Sequence, residues 1–218
     1  MDIFWLGQAC FKLKGKTATV IIDPYDPTAT GLKLPKDLTA DFSLSSHDHP
    51  DHNNTSVIKT STGEEAMVFN EVGEYEVNGA VVTAIESFHD NSNGSERGKN
   101  LIFHIILDNL NIVHLGDLGQ ESLTEEQLTL IGQTDILLIP VGGIYTIDAK
   151  TASNVVAQLE PSIIIPMHYK IEGLKYELEP LDNFLKEMSL ENVTPLAKLP
   201  ITKDKLPEEP QVVVLTKS

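Results

Sequence analysis

Three imidazoles and two carboxylates fall within six residues, His47-Asp48-His49-Pro50-Asp51-His52, directly after the apolar-polar segment Phe42-Ser43-Leu44-Ser45-Ser46. This cluster limits the fold more than any other stretch of the chain. Neutral imidazole suits zinc and other borderline divalent ions, and a carboxylate among imidazoles adds a hard, anionic ligand. One loop cannot complete such a site, so further donors are expected where strands end at a sheet edge. Three positions qualify. The run Val82–Phe88 ends in His89-Asp90, Asn111–Leu115 ends in Gly116-Asp117, and Ser162–Ile165 ends in Pro166-Met167-His168. Taken singly, each has a plainer reading: a hairpin loop for His89, a turn cap for Asp117, a core histidine for His168, and a solvated loop for the cluster itself. Together they supply five histidines and two aspartates, enough for two metal ions.

Strand alternation sets the other two histidines aside. Ile112, His114 and Gly116 face one side of a strand and Val113, Leu115 and Asp117 the other, so a ligating Asp117 leaves His114 out. His104 shares a face with Ile102 and Ile106 and is expected at a packed or edge position. The single cysteine, Cys10, excludes an intramolecular disulfide and reads as a buried thiol in the strand Ala9–Lys14.

The first third of the chain reads as a meander of strands Asp2–Leu6, Ala9–Leu13 and Thr17–Asp23, with a tight turn at Gly15-Lys16 and then a polar loop up to Ala40. Further strands are expected at Met67–Asn70, Tyr75–Val77, Ala80–Phe88, Leu101–Leu107 and Asn111–Leu115. From Thr124 helices enter: Thr124-Glu125-Glu126-Gln127 has the form of a capping box, Asp148–Leu159 is amphipathic, and a last helix is expected around Leu181–Met188. Ile136–Pro140 and Ser162–Pro166 are apolar runs of the kind buried on both faces, and Gln211–Leu215 reads as a final strand. No composition break offers a linker, so residues 1–218 read as one domain of two packed sheets covered by helices.

The chain carries 16 basic and 32 acidic residues among 218, a formal net charge of −16. Such acidity, spread along the chain, argues against nucleic-acid or anionic-membrane partners, whereas a local dication would still admit an anionic small-molecule substrate. The N-terminal segment lacks a basic region followed by an apolar one, and no apolar run approaches the length of a membrane span. A cytoplasmic location is the expectation.

With these residues in view, the chain resembles the metallo-β-lactamase-fold hydrolases, and within them an ascorbate-6-phosphate lactonase-like branch. The resemblance runs from about Asp2 to Lys170 and rests on Ile22-Asp23-Pro24, the histidine cluster with Ser46, His89-Asp90, Leu115-Gly116-Asp117 and Ile165-Pro166-Met167-His168-Tyr169. Arg97-Gly98-Lys99-Asn100 and Pro140-Val141-Gly142-Gly143-Ile144-Tyr145 are similar but less specific. It implies an α+β fold, a four-layer αβ/βα sandwich of two mixed β-sheets packed face to face. It also implies that His47, His49 and His89 hold one metal, that Asp51, His52 and His168 hold a second, that Asp117 bridges both, and that Asp23 orients a ligand through a hydrogen bond.

The expected function is that of a binuclear metal-dependent hydrolase, in which a metal-bridging hydroxide attacks a small ester, lactone or phosphodiester-type substrate, with Asp51 and Asp117 as catalytic residues. Two divalent ions are expected as cofactors. Five imidazoles favour zinc, with manganese or iron as alternatives. Arg97, Lys99 and Tyr145 are candidate substrate contacts. The rival readings are a diiron redox protein, disfavoured by His49 where those relatives usually carry Glu, and a non-catalytic metal-binding module of the same fold.

Overall fold

Strict alternation of side chains in the first 22 residues builds an antiparallel meander from β1 (Asp2–Gly7), β2 (Cys10–Lys14) and β3 (Thr19–Ile22), in a computed structural model that describes residues 1–36 and 38–218. Ile3, Trp5, Phe11, Leu13, Val20 and Ile22 join the main core, while Leu6, Cys10 and Ile21, at the intervening positions, join a second cluster on the opposite face. The first strip packs against Phe103, Ile105, Ile112 and Leu138 of the second sheet. Each face of the meander therefore carries an apolar cluster.

β4 (Phe42–Leu44) and β5 (Met67–Phe69) extend the meander in parallel, and β12 (Leu199–Pro200) pairs with β1, giving a six-stranded sheet in the order β12-β1-β2-β3-β4-β5. The second sheet contains β6 (Gly73–Val77), β7 (Ala80–Phe88), β8 (Lys99–Leu107), β9 (Leu110–His114), β10 (Ile136–Pro140), β11 (Ile163–Met167) and β13 (Gln211–Val212). Its order is β13-β11-β10-β9-β8-β7-β6, antiparallel through the hairpins and parallel from β9 to β13. As the apolar runs imply, β10 and β11 are buried at every position.

α2 (Glu125–Ile131) starts at the expected capping box: Thr124 Oγ1 accepts from Gln127 N at 3.1 Å and Gln127 Oε1 accepts from Thr124 N at 3.0 Å. α3 (Ala149–Leu159) is capped by Asp148 and buries Ala149, Ala152, Val155, Val156 and Leu159, a helical stripe, with α4 (Leu181–Glu187) packed beside it. Two mixed sheets thus face each other over one core with helices outside, the α+β sandwich expected from the sequence. The cover is uneven. α2 and α3 pack on the second sheet, whereas the second cluster of the first sheet is closed by Leu32, Leu38, Ile58, Leu174 and Leu178 from irregular chain.

Several boundaries differ from expectation for local reasons. β3 begins at Thr19 because Gly15 N bonds to Ala18 O and keeps Lys16 and Thr17 in the turn. The polar loop before Ala40 holds a short helix, α1 (Pro27–Thr30), in which Asp26 Oδ1 accepts from Thr28 N at 2.7 Å and Pro27 occupies the first turn. Asp37 of that loop lies outside the described residues.

Candidate metal centre

Four strands of the two sheets deliver donors to one edge. The chain leaving β4 carries the cluster through His52, β7 leads into His89, β9 into Asp117, and β11 into His168. The donors fall into two groups, His47, His49 and His89, and Asp51, His52, Asp117 and His168, with the donor atoms of each group within 4.8 Å of one another. One oxygen joins the groups: Asp117 Oδ2 lies 3.2 Å from His52 Nε2, 3.3 Å from His89 Nε2 and 3.4 Å from His168 Nε2.

Divalent ions fit this donor set. His47 Nε2, His52 Nε2, His168 Nε2 and Asp117 Oδ1 are all buried without a hydrogen-bond partner, an arrangement that protein interiors avoid unless something else satisfies the atoms. Three carboxylates, Asp23, Asp51 and Asp117, are buried among these rings and supply the negative field that a cation requires. Burial pushes the His47 imidazole down to about 3, helped by neighbouring His52, so it stands in the neutral form that ligates metal. Burial alone would raise Asp117, but His168 and His52 pull it well below the usual carboxylate range. Likewise burial opposes the charged form of His52, and the carboxylates of Asp117, Asp51 and Asp23 more than offset it.

The rings are held from behind. Asp23 Oδ2 meets His52 Nδ1 at 2.9 Å and accepts from Ser46 Oγ at 2.7 Å, while its Oδ1 accepts from Ser46 N at 2.7 Å. Ser46 Oγ in turn lies 3.0 Å from His47 Nδ1. Asp23 therefore fixes the ring of a residue in each group, directly or through Ser46, and leaves Nε2 aimed at the centre. Asn100 plays the same part for the backbone: its Oδ1 accepts from Asp117 N at 2.9 Å and its Nδ2 donates to Leu115 O at 2.9 Å. Gly116 (φ +56°) makes this possible, since a Cβ there would overlap Asn100 Oδ1. Gly142 does the same for His168, whose carbonyl oxygen occupies the space a Cβ would need.

A cavity of about 370 Å³ opens over the donors, and Arg97, Tyr145, Tyr176 and Glu96 form its outer wall. Arg97 donates to Ile144 O at 3.1 Å and its guanidinium sits 5.8 Å from the Tyr145 ring centroid. Asp90, beside His89, organises this loop by accepting from the backbone N–H groups of Ser92, Gly94, Glu96 and Arg97. These bonds, with Arg97's first, hold its carboxyl down at about 2. Lys99 is not brought to this cavity. It opens β8, pairs with Glu86 of β7 at 2.6 Å and lines a neighbouring groove. His114 is buried, with Nε2 2.8 Å from Ala9 O and Nδ1 accepting from Gly116 N, and His104 meets Asn111 Oδ1, so neither joins the donors.

Gln8 and Tyr176 were not singled out from the sequence, and Ser46 and Asn100 stood there only inside the motifs that carry the resemblance. Gln8 and Tyr176 have no local signal and reach the site through long-range packing.

Imidazoles and carboxylates gathered at the shared edge of two facing sheets define a class, the metal-dependent hydrolases of the metallo-β-lactamase superfamily. The family model described as the Beta-lactamase superfamily domain matches residues 2–168. A UPF0173 metal-dependent hydrolase of Thermoplasma acidophilum is 33% identical over 189 residues, covering 78% of this chain and 83% of that protein. The chain belongs to this UPF0173 family of metal-dependent hydrolases. A Thermotoga maritima structure described as a Zn-dependent hydrolase of the metallo-β-lactamase superfamily is 37% identical, with a TM-score of 0.79 and coverage of 98% of this chain and 97% of that one. A metallo hydrolase from Ignicoccus hospitalis, 18% identical with a TM-score of 0.64 over 92% and 99% of the two chains, shares the fold. These names specify no substrate, and the narrower likeness to lactonases stays a reading of the sequence. Among the described residues no helix is long and apolar enough to cross a membrane.

Proposed function

We propose that the chain hydrolyses a small ester, lactone or phosphodiester-type substrate at a centre of two divalent cations, zinc being the ion its five imidazoles favour. The observation that carries this reading is the position of Asp117 Oδ2, within 3.2–3.4 Å of imidazole nitrogens from both donor groups. When bound, such a pair of cations lowers the pKa of water toward neutrality and stabilises charge developing on a carbonyl or phosphoryl oxygen. The chain's own residues supply the geometry. His47, His49 and His89 would hold one ion, Asp51, His52 and His168 the other, and Asp117 both. Asp51, kept ionised by His52 against the effect of burial, also borders the cavity and would hold the attacking solvent molecule in line. Arg97 and Tyr145, on the outer wall, would meet an anionic group of the substrate.

Zinc-reconstituted protein should hydrolyse at least one member of a panel of lactones, esters and phosphodiesters, and should prefer those bearing a second anionic group. Turnover should vanish on chelation and return with zinc. Undiminished turnover after complete metal removal would contradict the proposal.

A further inference from the structure

We infer that Gln8 is a positioning residue for one of the two metal sites, acting on Asp51 and His168 and on none of His47, His49 and His89. The inference rests on the two-cation reading above and adds a residue outside the donor set.

Gln8 sits where β1 passes into β2. The pairing register slips between Trp5 and Gly7, the type of irregularity that re-aims a side chain beside a functional site. Gly7 (φ +107°) and Gln8 (φ +51°) both take the left-handed backbone that this turn needs. That conformation is uncommon for glutamine, and it persists only where surrounding contacts over-determine it.

Those contacts converge on one donor group. Gln8 Nε2 donates to Asp51 Oδ2 at 3.2 Å, the oxygen that also lies 3.4 Å from His52 Nε2 and 3.8 Å from His168 Nε2. The carbonyl oxygen of Gln8 accepts from His168 N at 3.2 Å and from Trp5 Nε1 at 2.7 Å. His168 is itself left-handed (φ +52°), so this bond fixes a strained ligand backbone. One residue thus holds a carboxylate through its side chain and an imidazole through its main chain, both in the group with His52 and Asp117. Gln8 is 1% exposed, and its Oε1 is buried without a partner. A buried amide left half unpaired is hard to explain by packing, because an apolar side chain of equal size would avoid that penalty.

The test is zinc titration of metal-free wild type and metal-free Gln8→Met under chelator competition, resolving two stepwise dissociation constants. Methionine keeps the length and the main-chain contacts and removes only the amide. The expected result is two ions in the wild type, with one dissociation constant raised about 10- to 100-fold in Gln8→Met and the other unchanged. Gln8→Asn, which tolerates the left-handed backbone but is one methylene shorter, should show the same selective loss and carries the test if Gln8→Met fails to fold. Equal weakening at both sites, or none, overturns the assignment of Gln8 alone. A wild type that binds fewer than two ions contradicts the two-cation reading itself, and this inference with it.

Discussion

Asp117→Ala should lower kcat/KM by at least about 10³-fold, equivalent to about 4 kcal/mol of transition-state stabilisation, and should weaken both metals at once. The reason is geometric. Asp117 Oδ2 lies within 3.4 Å of imidazole nitrogens of both groups, and its charge offsets rings that otherwise crowd one another. The fold should survive. Asp117 is tied to Asn100 through its backbone N–H, which alanine keeps, and the turn is shaped by Gly116. Steady-state kinetics with metal titration, checked by an unchanged circular dichroism spectrum, measure the effect. Activity within tenfold of wild type would remove Asp117 from the centre.

Asp51→Ala should cost about 10²–10³-fold in kcat, comparable to removing one preorganised charge-stabilising group, while one metal stays bound. His47, His49 and His89 do not depend on Asp51, and His52 remains held by Asp23. The control lies in the same hexapeptide. Asp48 is exposed, and its carboxylate accepts from Asn53 Nδ2 at 2.5 Å away from the donor groups, so Asp48→Ala should retain nearly full turnover. Equal losses in the two variants would mean that the loop, and not the carboxylate, was being read.

The donors were legible in the sequence because each announces itself locally. The cluster packs ligand-type residues into six positions, and His89, Asp117 and His168 each follow an apolar run whose alternation marks a strand and its end. The same alternation excluded His114, and the structure gives both its ring nitrogens to the backbone. Of what supports the donors, Asp23 was legible through the resemblance, but the amide contacts were not. Gln8 and Asp51 are 43 residues apart, and Asn100 meets Asp117 across 17; only the register of distant strands makes them neighbours. Glutamine and asparagine are also ordinary turn and surface residues, with nothing in their spacing to single them out. Lys99 was a candidate substrate contact because its loop could border the site; it pairs with Glu86 and lines a groove shared with Arg97, His47 and His49, beside the cavity over the donors. For the fold, long alternating strands were visible, whereas β4 and β12, of three and two residues, and the four-residue α1 were too short to show a period.

The central claim is that seven side chains from four strand ends hold a pair of cations. Metal content of the wild-type protein, measured by elemental analysis after reconstitution with excess zinc and removal of unbound metal, tests it. The expected value is two ions per chain, falling toward one in Asp51→Ala and toward none in Asp117→Ala. A wild type saturating at one ion or fewer, or two ions retained in Asp117→Ala, would contradict it.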